Sequence, residues 1–381
     1  MKSPGSTASL RAANQRRVVN ALRVRRELSQ AEIARTTELA PATVSNIVKE
    51  LSAAGFLEFE RGSGRRGAAV KIARTAGLVA GVDFGHSHLQ VALGDLSGNL
   101  IGKLSRPLDD DPSHEAGLGL ANQLLDELLE ANLSDRSSLR AVGMGLPAPI
   151  SSSGVIESDS ILPGWLGVNA AEAATASFGV PTLADNDANL GALAESVAGA
   201  GTGHTCMAYL KASSGVGCGL ILDGKIFRGG IGTAGEIGHL TMDESGPLCR
   251  CGSRGCLEAY VGADALVAQF SAQHPNSTAM ELFALAAAGD IGAQRLIEDS
   301  GRYLGRASAI LANLLGPTLI VVGGDMATSG EVLLDGLRDG LRRHALDAVA
   351  KKVSVKAAAL GDGSSVIGGL LMALEAVELP H

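Results

Sequence analysis

"LVAGVDFG", residues 78–85, is an apolar run closed by an acid, an aromatic residue and a glycine, the composition of a buried strand entering a tight turn. Residues 89–95 then read as the returning strand, Ser97-Gly98-Asn99 as the next turn, and residues 100–105 as a third strand. The same plan recurs downstream: a strand over 205–211, a turn at Ser213-Ser214-Gly215, a strand over 216–222, a turn at Asp223-Gly224 and a strand over 225–228. Two glycine-turned meanders, each followed by helical segments, predict a duplicated α/β domain with a cleft between its halves.

The composition agrees. Glycine supplies 50 of 381 residues, about twice an ordinary share of roughly 7%, while apolar residues remain at 46%. That combination fits tight turns and close backbone approaches within packed cores, and the length allows two or three domains. The first thirty residues hold Arg11, Arg16, Arg17, Arg23, Arg25 and Arg26 with no apolar leader segment, and no apolar stretch reaches eighteen residues. The expectation is a soluble cytoplasmic protein with no membrane partner.

The formal net charge of −8 hides a division. Residues 1–75 carry fourteen Lys and Arg against six Asp and Glu, whereas the rest carries eighteen against thirty-four. A basic head on an acidic body points to a polyanion that meets only the head. A merely solvated basic face is the plainer alternative.

Within the head, Ser29-Gln30-Ala31-Glu32 has the form of a capping box opening a helix that runs to about Thr37. Pro41 then suits the first position of a second helix, where its missing N–H is no loss. Val44, Ile47, Val48 and Leu51 are spaced to face inward, which leaves Ala42, Thr43, Ser45, Asn46 and Lys49 outward. This is a helix-turn-helix with residues 41–54 as the recognition helix, and Thr43, Ser45, Asn46 and Lys49 are its candidate DNA contacts. Residues 55–60 alternate like a strand, residues 61–67 form a basic turn and residues 68–72 return, which completes a winged helix. Arg65 and Arg66, flanked by glycines, suit phosphates or a narrow minor groove. An exposed loop without that role is the alternative. The predicted domains are therefore a winged-helix head over 1–75 and a body over 76–381.

His239, Cys249, Cys251 and Cys256 offer one imidazole and three thiolates within eighteen residues, with Gly252 and Gly255 permitting sharp turns. Such a set matches a closed, tetrahedral, structural zinc site. A disulfide among the same thiols is disfavoured by a reducing compartment and by the odd count of three. Cys206 and Cys218 lie in strand-like segments and read as small buried hydrophobes.

"GVGCGLILDGKIFRGGIGTAGEIGH" (215–239), followed by "CRCGSRGCLE" (249–258), resembles the signature of the ROK family, which contains repressors and sugar kinases on an actin-like ATPase fold. The resemblance covers about residues 75–375, and the basic head resembles the family's repressor branch. It implies an α/β fold class, with an N-terminal winged helix-turn-helix joined to a duplicated actin-like domain. It also implies that Asn186 and Asp187 of "DNDAN" (185–189), with Glu236, His239 and Glu258, bind sugar hydroxyls. His239 would serve both zinc and sugar, one ring nitrogen on each. Gly145-Leu146-Pro147 and Leu162-Pro163-Gly164-Trp165 resemble family loops around that pocket. Asp185 and Asn189 read as caps of the following helix, and Glu195 as a surface charge on it.

In the family's kinases the counterpart of Asp187 is the catalytic base, and glycine-rich turns cradle ATP phosphates. The first turn, usually Asp-x-Gly-Gly-Thr, here reads Asp83-Phe84-Gly85-His86-Ser87-His88; the second, usually Gly-Thr-Gly, reads Ser213-Ser214-Gly215. Side chains stand where backbone would approach phosphate. Residues 322–325, Val-Gly-Gly-Asp, still suit the edge of an adenosine pocket. The leading expectation is thus a sugar-responsive DNA-binding repressor with a structural zinc and no effective kinase activity. An active sugar kinase with a DNA-binding head and an interaction platform on the same fold are the alternatives. The expected partners are a double-stranded DNA operator, a monosaccharide or phosphosugar effector, and a second copy of the chain in a homodimer or homotetramer, because two-fold operators present paired half-sites.

Overall fold

The computed structural model describes residues 7–60, 68–86, 88–108, 112–157 and 162–380. The head begins with a helix absent from the sequence reading, α1 (Thr7–Arg25), whose buried face is short: Gln15, Val18, Val19, Ala21 and Leu22. There follow β1 (Leu28–Ser29), α2 (Gln30–Thr37), α3 (Pro41–Ala53), β2 (Leu57–Glu60) and β3 (Ala69–Ile72). The capping box forms, with Ser29 Oγ accepting from Glu32 N–H at 3.3 Å and Glu32 accepting from Ser29 N–H at 2.9 Å. Val44, Ile47, Val48 and Leu51 of α3 are buried, and Ser45, Asn46 and Lys49 are exposed, with Thr43 half-buried beside them. β2 and β3 pair antiparallel from Leu57↔Ile72 to Glu60↔Ala69, as the two strands of a wing do. The basic turn between them, with Arg65 and Arg66, lies outside the described residues.

The body contains two five-stranded sheets. The first is built from β4 (Leu78–Phe84), β5 (His88–Asp95), β6 (Leu100–Pro107), β7 (Leu139–Leu146) and β8 (Thr182–Asn186), in the order β6-β5-β4-β7-β8. Its helices are α4 (His114–Ala131) and α5 (Ala170–Phe178), while α6 (Asp187–Ala198) starts at the end of β8 and packs mainly on the second sheet. The second is built from β9 (Met207–Ala212), β10 (Val216–Leu222), β11 (Lys225–Ile226), β12 (Leu319–Gly323) and β13 (Ser354–Ala357), in the order β11-β10-β9-β12-β13. Its helices are α7 (Leu257–Val261), α8 (Ala263–Phe270), α9 (Ala279–Ala288), α10 (Ile291–Leu315), α11 (Glu331–His344) and α12 (Asp347–Ala350), and the last helix, α13 (Ser364–Ala376), returns to pack on the first sheet. Each sheet is an antiparallel meander extended by two parallel strands, so the duplication expected from the glycine turns is present in the topology.

Because side chains alternate along a strand, β4 serves two cores. Leu78, Ala80, Val82 and Phe84 pack with α4 and α5, whereas Val79 faces Val366, Leu370 and Leu374 of α13. The latter core is continuous with Val18, Val19 and Leu22 of α1, so head and body share buried apolar surface. Gly143 and Gly369 let α13 approach the sheet backbone to backbone: a Cβ on Gly143 would stand 2.0 Å from the Gly369 carbonyl oxygen.

Three expectations need correction. Glu195 is no surface charge: it is fully buried on α6, accepting from Ala200 N–H (2.7 Å), Leu360 N–H (2.9 Å), Ser364 Oγ (3.0 Å) and Ala359 N–H (3.1 Å). The cap of α6 is Asn186, not Asp185 or Asn189. Cys218 is buried as expected, but Cys206 is only partly so.

Candidate functional site: a cavity between the lobes

The carboxyl ends of β4, β7, β8 and β9 converge on a cavity of about 450 Å³, in the position where open α/β sheets take their ligands. Asn186, Asp187, Glu236, His239 and Glu258 all line it, as does Pro147. The Leu162-Pro163-Gly164-Trp165 segment is not among its lining residues. Trp165 is instead buried edge-on against Phe84, with ring centroids 5.4 Å apart, and supports the turn that follows β4 from behind.

Asn186, Asp187 and Glu258 are each held from two sides. Asn186 closes β8 and opens α6: its Oδ1 accepts from Ala188 N–H at 2.9 Å and Asn189 N–H at 3.4 Å, while Nδ2 donates to the Ala148 carbonyl at 3.2 Å. Asp185 braces the same junction by accepting from Asn189 Nδ2 and from Arg228, both at 2.8 Å. Asp187 stands in the first turn of α6, where the helix field favours a carboxylate. Its Oδ2 accepts from Lys211 Nζ at 2.6 Å, and its carbonyl accepts from Ser365 Oγ at 2.9 Å. Glu258 accepts from Arg250 Nε at 2.7 Å and from Val216 N–H at 3.0 Å.

The sequence reading gave no role of their own to two charged residues of this site, Asp83, named only within its turn, and Lys211. Asp83 is buried at the end of β4, and its Oδ1 has no hydrogen-bond partner. Burial pushes its carboxyl up to about 6, with the Lys211 charge opposing and the Asp187 charge reinforcing that rise. Lys211 is the next-to-last residue of β9; burial alone would lower its ammonium, but the charges of Asp187 and Asp83 outweigh burial and raise it above the ordinary lysine value. A lysine closing the apolar run Met207-Ala208-Tyr209-Leu210 was the available signal, since a charge there needs a buried partner. Glu236 is pushed up to about 7 by burial, with Asp187 and Glu258 adding to the effect.

On the other side of the cavity the two turns are filled by side chains. The imidazole of His88 lies over Gly85, its ring atoms 2.6–2.9 Å from where a Cβ would stand. Ser213 Oγ accepts from Asp325 N–H at 3.0 Å, next to Gly324. His86 is exposed at the rim; Ser87 lies outside the described residues.

Beside the cavity, one ligand atom from each of His239, Cys249, Cys251 and Cys256 falls within 4.8 Å of all the others. Cys249 Sγ lies 3.7 Å from His239 Nδ1, and Cys251 Sγ lies 3.7 Å from Cys256 Sγ. A tetrahedral centre with Zn–S bonds of about 2.3 Å separates its sulfurs by roughly 3.7 Å, so the cluster has the dimensions of a metal site. With Nδ1 turned toward the thiols, Nε2 of His239 is the nitrogen left for the cavity.

The sequence pattern of the ROK family matches residues 79–376, a span that includes both sheets and the cavity between them. The chain belongs to the ROK family. Ahead of that ROK body, the pattern of the MarR family matches residues 11–67, over the winged helix. Among curated ROK relatives, a putative xylose repressor of Caldicellulosiruptor sp. (strain Rt8B.4) is 27% identical, over 97% of both chains. A glucokinase of Halalkalibacterium halodurans is 32% identical over 76% of this chain and 92% of its own. A crystal structure of a ROK family transcriptional regulator, homologous to the Mlc protein of Escherichia coli, superposes with a TM-score of 0.81 over 96% of each chain at 23% identity, a likeness of fold.

Proposed function

We propose that this chain is a sugar-responsive DNA-binding transcriptional repressor, with residues 1–75 as the DNA-binding head and residues 76–381 as a sugar-binding body that does not phosphorylate its ligand. The observation that carries the proposal is the convergence of Asn186, Asp187, Glu236, His239 and Glu258 on one cavity, in a chain that also folds a winged helix. Carboxylates and a carboxamide suit vicinal hydroxyls because each bridges two of them. The xylose repressor relative matches head and body together, whereas the glucokinase matches a length equal to the body alone. His88 over Gly85 and Ser213 on the Asp325 N–H put side chains where a phosphate-cradling turn needs bare backbone.

In this reading Thr43, Ser45, Asn46 and Lys49 contact the operator from α3, with Arg65 and Arg66 from the wing. His239, Cys249, Cys251 and Cys256 hold a structural zinc that fixes the cavity wall. The chain acts as a homodimer or homotetramer in the cytoplasm; among the described residues no helix is long and apolar enough to cross a membrane. Sugar changes DNA affinity by binding two arrangements of head and body unequally.

The test joins calorimetry to an ADP-release assay over a panel of monosaccharides and phosphosugars. Sugar binding without turnover is expected. Asp187→Asn removes a charge-assisted hydrogen bond of roughly 1.5–3 kcal/mol, so sugar affinity should fall tenfold to a hundredfold. Sugar-dependent ATP turnover on the order of 1–100 per second, abolished by Asp187→Asn, would overturn the reading and restore Asp187 as the base of a kinase.

A further inference from the structure

Two acids meet at the end of the first sheet. Asp83 and Gly145 are register partners on β4 and β7, and Asn186, before Asp187, is paired one residue further along β7. A Cβ on Gly145 would stand 2.8 Å from Asp83 Oδ1 and 3.7 Å from the Asp187 Cα, so both residues border the same point. Facing carboxylates beside a phosphate-binding turn are how proteins commonly hold a nucleotide-bound divalent ion. Here the second sheet delivers Lys211 to Asp187: Nζ is 2.6 Å from Asp187 Oδ2, and the side chains of Lys211 and Asp187 are only 18% and 8% exposed. Asp83 Oδ1 meanwhile has no hydrogen-bond partner, an unusual state for a buried carboxylate oxygen.

We infer that Lys211 is a cation built into the chain, standing where a divalent metal would otherwise bind between Asp83 and Asp187. The inference builds on the reading of a body that binds sugar without phosphorylating it, and it gives that reading a specific cause. A covalently attached ammonium cannot leave, cannot be coordinated by phosphate oxygens as a metal is, and holds Asp187 in one orientation. It keeps the carboxylate set ready for hydroxyls while denying a metal–nucleotide complex its anchor. Because Lys211 lies near the end of a strand of the second sheet and Asp187 follows directly on β8 of the first, the same pairing also joins the two sheets at the cavity.

Removing the ammonium while keeping its bulk should open a metal site. The probe is Mn²⁺, which favours carboxylate ligands and competes poorly for the thiolate cluster, measured by calorimetry and electron paramagnetic resonance on the full zinc-loaded chain. Lys211→Met should take up one Mn²⁺ per chain at least tenfold more tightly than wild type, and Asp83→Asn on that background should abolish the gain. A folded Lys211→Met chain whose Mn²⁺ affinity changes less than twofold overturns the inference. If Lys211→Met does not fold, NMR of ¹⁵N-lysine-labelled wild type decides: a protected ammonium that shifts on Asp187→Asn is expected, and one exchanging as fast as surface lysines overturns the idea. Sugar calorimetry on wild type keeps the two readings apart. Metal gain in a chain that binds no sugar supports the built-in cation and sinks the sugar reading, whereas sugar binding with no metal gain does the reverse.

Discussion

Ser364 Oγ, at the start of α13, donates to Glu195 on α6 at 3.0 Å, deep between the lobes. Next to it Ser365 holds the carbonyl of Asp187, so α13 begins in the cavity wall. Its other end, at Leu374 and the following Val377, is buried with Val18 and Leu22 of the head. Arg23 of α1 reaches the Leu96 carbonyl at 3.1 Å, and burial, partly opposed by the nearby Glu375 charge, lowers its guanidinium to about 10. One helix of thirteen residues, roughly 20 Å long, therefore touches both the cavity and the winged-helix head.

Glu195 is the joint most exposed to test. Glu195→Ala strips the partner from three backbone N–H groups and one hydroxyl, and unsatisfied buried donors cost about 1–3 kcal/mol each before relaxation. A loss of about 3 kcal/mol is expected in urea unfolding, with Glu195→Gln losing less because one acceptor oxygen remains. A change under about 0.5 kcal/mol for the alanine variant would show that the junction carries no stability.

For the metal cluster, purified protein should carry about one zinc per chain by elemental analysis. Cys251→Ser should fall well below half occupancy and unfold at lower temperature, because metal-binding energy is also folding energy. A normally folded wild type with far less than one zinc would end the assignment.

The pH dependence has a defined sign. Asp83 sits near 6 when folded against an ordinary 3.8, so between those values the folded chain holds the extra proton. Its contribution to stability is therefore lost as pH rises from about 4 to 6, at up to about 1.4 kcal/mol per unit. Asp83→Asn removes this penalty, and its stability relative to wild type should improve by on the order of 2 kcal/mol between pH 4 and pH 7. The difference between the two proteins is the quantity to follow, since zinc release in acid affects both alike. A difference independent of pH would contradict the raised value.

DNA affinity should reside in residues 1–75 and fall steeply with salt. Lys49→Ala should weaken binding across all sequences and lower the salt slope by about 1, whereas Asn46→Ala should relax base preference with the slope unchanged. Replacing Arg65 and Arg66 together by Ala should lower affinity further; an unchanged affinity and slope would remove the wing from the interface.

Much of this protein was legible before any coordinates. The two glycine-turned meanders, the Ser29–Glu32 capping box, the inward set of α3 and the His-Cys₃ spacing are local patterns, and local backbone chemistry writes them directly into neighbouring residues. α1 was missed because its buried face holds just three large apolar residues, Val18, Val19 and Leu22, beside Gln15 and Ala21, in a helix otherwise rich in arginine and other polar residues, too little for a period to show. Glu195 looked exposed because its own helix offers no partner; three of its four donors arrive from residues 359, 360 and 364. Asp185 looked like a cap, but Arg228, in the loop after β11, takes its carboxylate, and the capping falls to Asn186. The pairing of Lys211 with Asp187 joins the end of a strand in one lobe to the start of a helix at the other. Secondary structure and metal spacing follow from interactions within a few residues, which a sequence displays. Which charges meet in the cavity depends on how two sheets and α13 pack, and that is settled only when the desolvation of each buried charge must be offset by a partner brought from far along the chain.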